Sequence, residues 1–187
     1  YGLFAVQGWL FNHEGTRRGL DFVTRKISNG IAQIKLCIKN SFRRPSPICH
    51  PFPVLELGNL DALRDWSDAE DFMSGVWAML NAEKPKNYVL ASGEMHTVRE
   101  FVEESLRVAE INFIKEGEGS EEKYYAVDPE SEILIIQINP EFYRPAEVHK
   151  LLGDPSLAEK ELGWVRHTDF KQLVKKMYEN DYRILNK

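Results

Sequence analysis

"LFAVQGWLFNHEGTRRGLDFVTRK", residues 3–26, passes from an apolar run through a crowded polar loop into a helical pattern. Its first part, LFAVQGWLF (3–11), has the length and apolarity of a buried strand. Leu20, Val23, Ile27, Ile31, Ile34 and Ile38 then recur at steps of three and four, the spacing of an amphipathic helix. Strand, polar loop and helix make the repeating unit of an α/β fold, and in open α/β sheets ligands bind beyond the carboxyl ends of the strands. Asn12, His13, Glu14, Arg17 and Arg18 crowd into that position. A solvated turn would account for them equally well, because loops are polar for solubility alone.

The rest of the chain continues the alternation. Ser67 with Glu70, and Thr97 with Glu100, fit the S/T-x-x-E capping box, so helices are expected to start there. The first would bury Phe72, Met73, Val76, Trp77 and Leu80, the second Val98, Phe101, Val102, Leu106 and Ala109. NYVLAS (87–92) between them reads as a short strand. In DPSLAEKELG (154–163) Asp154 suits an N-cap, Pro155 the first helical position and Gly163 the residue past the end. Phe170, Leu173, Val174, Met177 and Tyr178 predict a last helix, and GEGSEEKYYAVDPESE (117–132) an exposed connection. Trp77, Phe101 and Phe170 lie on apolar helix faces and are expected in the core.

Composition narrows the function. At 187 residues the chain suits one domain, and a formal charge of -5 argues against a general binder of nucleic acid or acidic membrane. No apolar run is long enough to span a bilayer, and no signal-peptide pattern opens the chain. Cys37 and Cys49 show neither CxxC spacing nor a disulfide framework, which fits a reducing, cytoplasmic setting. The first residue, Tyr1, leads straight into strand-like sequence, as in a piece of something longer. His50, His96, His149 and His167 lack metal-ligand spacing, so no metal site is expected.

Two further polar clusters have bland alternatives. In NLDALRDW (59–66) Arg64 and Asp65 stand just ahead of a helix, where Asp65 could simply pair with a neighbour. In FYRPAEV (142–148) Arg144 and Glu147 have the spacing of a surface salt bridge. Taken in order, however, LFNHEGTRRG (10–19), FVTRK (22–26), LGNLDALRDW (57–66), HTVREFVE (96–103), FYRPAEV and GDPSLAEKELGW (153–164) closely resemble the C-terminal half of the GDP-mannose 4,6-dehydratase family, within the extended short-chain dehydrogenases/reductases. The resemblance runs from Tyr1 to about Tyr182.

That resemblance implies the C-terminal portion of an NAD(P)-binding Rossmann-type fold with its substrate-binding region. Residues 1–92 would end the Rossmann sheet and carry the substrate loops, and 93–187 would form the C-terminal substrate-binding region. Family members use NADP to take hydride from C4 of GDP-mannose, eliminate water across C5 and C6 and return hydride to C6, opening the route to GDP-fucose. Carried over residue by residue, His13 and Arg18 would contact NADP, and Asn12, Lys26, Arg64, Arg144 and Glu147 the substrate. A homo-oligomer is implied for the full-length family. Departures also matter: the G-x-x-G-x-x-G turn and the Tyr-x-x-x-Lys pair are missing, so no catalytic residue carries over and the chain alone is expected to be inactive. Neither Tyr1 nor Glu14 sits in a matching catalytic motif, and Gly15-Thr16 replace the family's usual Ser-Pro. Residues 40–54, with four prolines, resemble an insertion and are expected to form neither helix nor central strand. A non-catalytic nucleotide-sugar-binding fragment, or a related epimerase or reductase, are the alternatives.

Overall fold

The computed structural model describes residues 2–41, 52–127, 132–143 and 150–187. Two parallel strand pairs lie at the start of the path. β1 (Gly8–Leu10) runs beside β6 (Tyr88–Leu90), and β2 (Asn12–Glu14) beside β5 (Trp66–Asp68). The polar loop after β2 leads into α1 (Val23–Ser41). A four-stranded sheet follows, in which β3 (Leu55–Leu57) is parallel to β10 (Glu132–Ile138), and β9 (Lys123–Val127) and β8 (Phe113–Glu116) continue antiparallel. β4 (Leu63–Arg64) pairs antiparallel with β7 (His96–Thr97). Helices α2 (Ala69–Leu80), α3 (Val98–Val108), α4 (Ser156–Leu162) and α5 (Phe170–Leu185) complete the path.

Two apolar clusters hold these elements. In the larger, Ile27, Ile31 and Ile34 of α1 meet Phe101, Val102 and Leu106 of α3, Leu173, Val174 and Met177 of α5, and Ile135 and Ile136 of β10. Gly30 lets α1 close on the sheet, since a Cβ there would lie 2.9 Å from Leu55 Cδ1. The smaller cluster joins Phe72 and Met79 of α2 to Tyr88, Leu90, Ala158 and Trp164. The Thr97–Glu100 capping box forms as its spacing predicts, and α5 carries a second one between Asp169 and Gln172.

Several expectations change. LFAVQGWLF is strand only over Gly8–Leu10, where β6 supplies the pairing, and Leu3, Phe4 and Trp9 are exposed among the described residues. Leu20 and Val23 are also exposed, because α1 turns its apolar stripe to the sheet only from Ile27 onward. Ser67 does not cap α2: pairing with β2 holds it extended, and Asp68 caps instead, accepting from the Glu70 N–H at 2.8 Å. On α2 the buried face is Phe72, Gly75 and Met79, whereas Met73, Trp77 and Leu80 point outward, with Trp77 70% exposed. Helix α4 starts one residue later than expected, after Pro155, and ends on left-handed Gly163 as predicted. The 117–132 connection contains β9, whose Tyr124 and Ala126 alternate into the core. At the suspected insertion, α1 extends through Asn40 and Ser41, because no proline interrupts it before Pro45; residues 42–51 lie outside the described residues, and 52–54 are irregular.

Candidate functional site

β2 carries Asn12 and His13, both half-buried, toward the polar loop. His13 Nδ1 lies 2.9 Å from the Phe11 carbonyl oxygen. A carbonyl can only accept, so this contact puts a proton on Nδ1. Its ring also packs 5.4 Å from that of Phe72. Glu14 turns inward, accepts from Thr24 Oγ1 at 2.6 Å and faces Arg18 Nε at 3.1 Å. Burial pushes the Glu14 carboxyl above the usual carboxylate range, with the Thr24 bond and the Arg18 charge pulling the other way. This is a structural carboxylate, in line with its lack of a catalytic motif. The Arg18 guanidinium lies over Phe22, its Cζ 3.5 Å from the ring centroid.

A residue with no assigned role organises this loop. Arg25, on the first turn of α1, donates from Nη1 to the carbonyls of Thr16 (2.8 Å) and Arg18 (2.9 Å). Its Nε and Nη2 reach the two carboxylate oxygens of Asp181 on α5, at 2.9 and 2.8 Å. No local spacing in the sequence could pair residues so far apart.

Lys26 sits one position on, its Nζ 4.2 Å from the Phe142 ring centroid. Burial lowers its pKa, and the Glu56 carboxylate opposes that shift. Phe142 belongs to the 3₁₀ turn Pro140–Phe142, which packs so closely on Gly58 that a Cβ there would lie 2.7 Å from the Phe142 carbonyl oxygen. Lys26 is thereby joined to the LGN segment and to the beginning of FYRPAEV. Arg144 and Glu147 lie outside the described residues.

Arg64 is half-buried on β4, opposite His96 in register, and donates from Nη1 to the Leu63 carbonyl at 2.8 Å. Its neighbour Asp65 is fully buried, and its oxygens accept the backbone N–H groups of Ser92 (2.6 Å), Gly93 (3.1 Å) and Gly153 (3.1 Å). Asp65 is therefore the structural partner that one sequence alternative allowed, although it binds backbone rather than a neighbouring charge. Asn12 and His13 open the short strand β2, Arg18 lies in the loop that follows it, and Lys26 stands on the helix that the loop enters. A separate open groove along α5, lined by Gln172, Lys175, Lys176, Glu179, Asn180 and Arg183, contains none of these candidates.

The sequence model of the GDP-mannose 4,6 dehydratase family matches residues 1–177. The chain belongs to this family. Relatives include the GDP-mannose 4,6-dehydratase of Vibrio cholerae serotype O1, 41% identical over 97% of this chain and 47% of its own length. Those of Drosophila melanogaster (40% identical, 100% of this chain, 44% of the relative) and Homo sapiens (39%, 99% and 46%) stand at a similar distance. The chain thus spans about half the length of the relatives it matches. Among solved structures, RMD from Pseudomonas aeruginosa complexed with NADPH superimposes with a TM-score of 0.70 at 19% identity, over 97% of this chain and 49% of that one. The Thermus thermophilus UDP-glucose 4-epimerase complex with NAD does so with 0.67 at 16%, over 98% and 48%. The fold is the Rossmann-like α/β fold of the extended short-chain dehydrogenases/reductases, and those two neighbours hold nicotinamide cofactors. Among the described residues no helix is long and apolar enough to cross a membrane.

Proposed function

We propose that this chain is the substrate-binding part of an NADP-dependent GDP-mannose 4,6-dehydratase, which forms GDP-4-keto-6-deoxymannose on the route to GDP-fucose. The carrying observation is that Asn12 and His13, on the short strand β2 beside the parallel strand β5, lead directly into the loop at its carboxyl end, which holds Arg18. Ligands of open α/β sheets bind at such ends. In this proposal residues 1–92 close the Rossmann sheet and 93–187 supply the rest of the substrate region, in a cytoplasmic homo-oligomer.

The residues present fit an anionic nicotinamide cofactor. Arg18 keeps 26% of its side chain exposed while Phe22 and Glu14 contact the guanidinium, so its outer N–H groups would be placed to meet phosphate oxygens. His13, held by Phe11 through Nδ1, would turn Nε2 to the ligand. NADP, when bound, supplies the hydride acceptor. Toward the substrate, Asn12 would hydrogen-bond near the sugar and diphosphate, Lys26 would add a cation, and the forked donors of Arg64 would suit the diphosphate. Arg144 and Glu147 would hold the phosphate and the ribose hydroxyls. All of these bind and orient; proton transfer at the sugar needs an acid and a base that this chain's motifs do not supply.

Calorimetric titration of the chain with GDP-mannose tests the substrate half. Binding is expected, with Arg64→Ala weakening it by roughly tenfold or more, the scale of one charge-assisted hydrogen bond. Equal affinity for UDP-glucose would overturn the substrate assignment and favour the epimerase alternative, which the fold neighbours suggest. Incubation with GDP-mannose and NADP should give no 4-keto-6-deoxy product; turnover by the chain alone would refute the division of labour.

A further inference from the structure

We infer that Arg25 and Asp181 are positioning residues, which hold the polar loop in its ligand-facing shape by tying its backbone to α5. The inference deepens the proposed site and rests on that reading for its functional consequence. Four hydrogen-bonding contacts converge on one guanidinium: two loop carbonyls, of Thr16 and Arg18, and both oxygens of Asp181. Asp181 is 1% exposed, and Ser28 Oγ donates to its Oδ2 at 2.6 Å. Losing the Arg25 guanidinium would leave that buried carboxylate's charge uncompensated.

The geometry does more than join two helices. The planar fork sends Nη1 to the loop while Nε and Nη2 hold the carboxylate, so α5 fixes the guanidinium and the guanidinium fixes the peptides around Arg18. Only arginine has donors in this arrangement. The Arg18 side chain leaves that fixed backbone to lie between Phe22 and Glu14. Asp181 also lies beyond the family match, which ends at residue 177. Helix α5 serves the neighbouring strand end similarly, through Lys176 Nζ, 2.8 Å from Asp68 Oδ2.

The test is amide hydrogen exchange on the purified chain, comparing wild type with Arg25→Lys, Asp181→Asn and Ser28→Ala, together with urea unfolding. The Arg18 N–H, which donates to the Gly15 carbonyl at 3.1 Å, reports the loop, and the amides of Ile31 and Ile34 report α1. Lysine keeps the charge opposite Asp181 but cannot hold both carbonyls. We expect Arg25→Lys to retain most of the global stability while Arg18 exchanges at least tenfold faster and Ile31 and Ile34 stay protected. If Asp181→Asn fails to fold, the Arg25→Lys and Ser28→Ala pair still decides. Exchange at Arg18 that changes only in step with global stability would overturn the inference and leave an ordinary buried ion pair. A second arm adds NADPH: protection at residues 13–18 in wild type that Arg25→Lys loses supports the positioning role. Accelerated loop exchange with no NADPH effect even in wild type would instead refute the cofactor assignment and leave the positioning role standing.

Discussion

Replacing Asp65 by asparagine should destabilise the chain out of proportion to the loss of one charge. The carboxylate is completely buried and accepts three backbone N–H groups, from Ser92 on Oδ1 and from Gly93 and Gly153 on Oδ2. An amide has one acceptor oxygen, so one side of the cluster must face an NH2 group. At least one hydrogen bond to a charged group is lost, about 1.5–3 kcal/mol, and a buried donor is left against another donor, about 1–3 kcal/mol more. The expected loss is therefore about 2.5–6 kcal/mol, a large part of the roughly 5–15 kcal/mol that holds an ordinary domain. At about 2–4 °C per kcal/mol for a chain of this size, Tm should fall by roughly 5–24 °C. Urea unfolding followed by far-UV circular dichroism and by tryptophan fluorescence measures it, provided that the denaturant slope is unchanged. Alanine should cost more than asparagine, because all three N–H groups lose their acceptor. An asparagine variant within about 1 kcal/mol of wild type would refute the reasoning, because a buried three-fold acceptor cannot be lost so lightly.

Other expectations follow from the same contacts. Phe72→Ala should cost about 3–5 kcal/mol, whereas Trp77→Ala, on the opposite side of α2, should change stability by no more than about 0.5 kcal/mol by urea unfolding; the reverse order would mean that the buried face of α2 is wrong. Gly75→Ala adds a Cβ 2.8 Å from Leu90 Cδ1 and 3.0 Å from Trp164 Nε1. Overpacking of about 1–3 kcal/mol should outweigh a helix-propensity gain of about 0.5–1 kcal/mol, so the midpoint should fall. Glu14 has a folded pKa raised above its ordinary value, so its charging lowers stability as pH rises from the unfolded value of 4.5 through the folded one. Glu14→Gln should therefore compare best with wild type at neutral pH and worst near pH 4.5, a trend read from unfolding midpoints across that range.

The order of elements is legible in the sequence wherever local chemistry decides it. Thr97 and Glu100 cap α3 because both partners lie within one turn, and Gly163 ends α4 because it can take a left-handed φ of 62°. Strand, loop and helix follow one another as the pattern requires, although Asn12–Glu14 are strand rather than loop, and the resemblance in the spelling of residues 12–18 leads to the family that the comparison with known proteins bears out. Periodicity does not tell which arc of a broadly apolar helix meets the sheet, so the pattern alone puts Trp77 inside; only the approach of Leu90 and Trp164 to Gly75 decides that it faces out. Tertiary structure alone also turns Glu14 inward onto Thr24, sets Asp65 against three backbone amides from two distant segments, and brings Asp181 to Arg25. The physical reason is common to all three: caps and turns are satisfied by neighbours in the chain, whereas a buried charge must find its partners wherever the folded chain brings donors together, and no sequence spacing records that meeting.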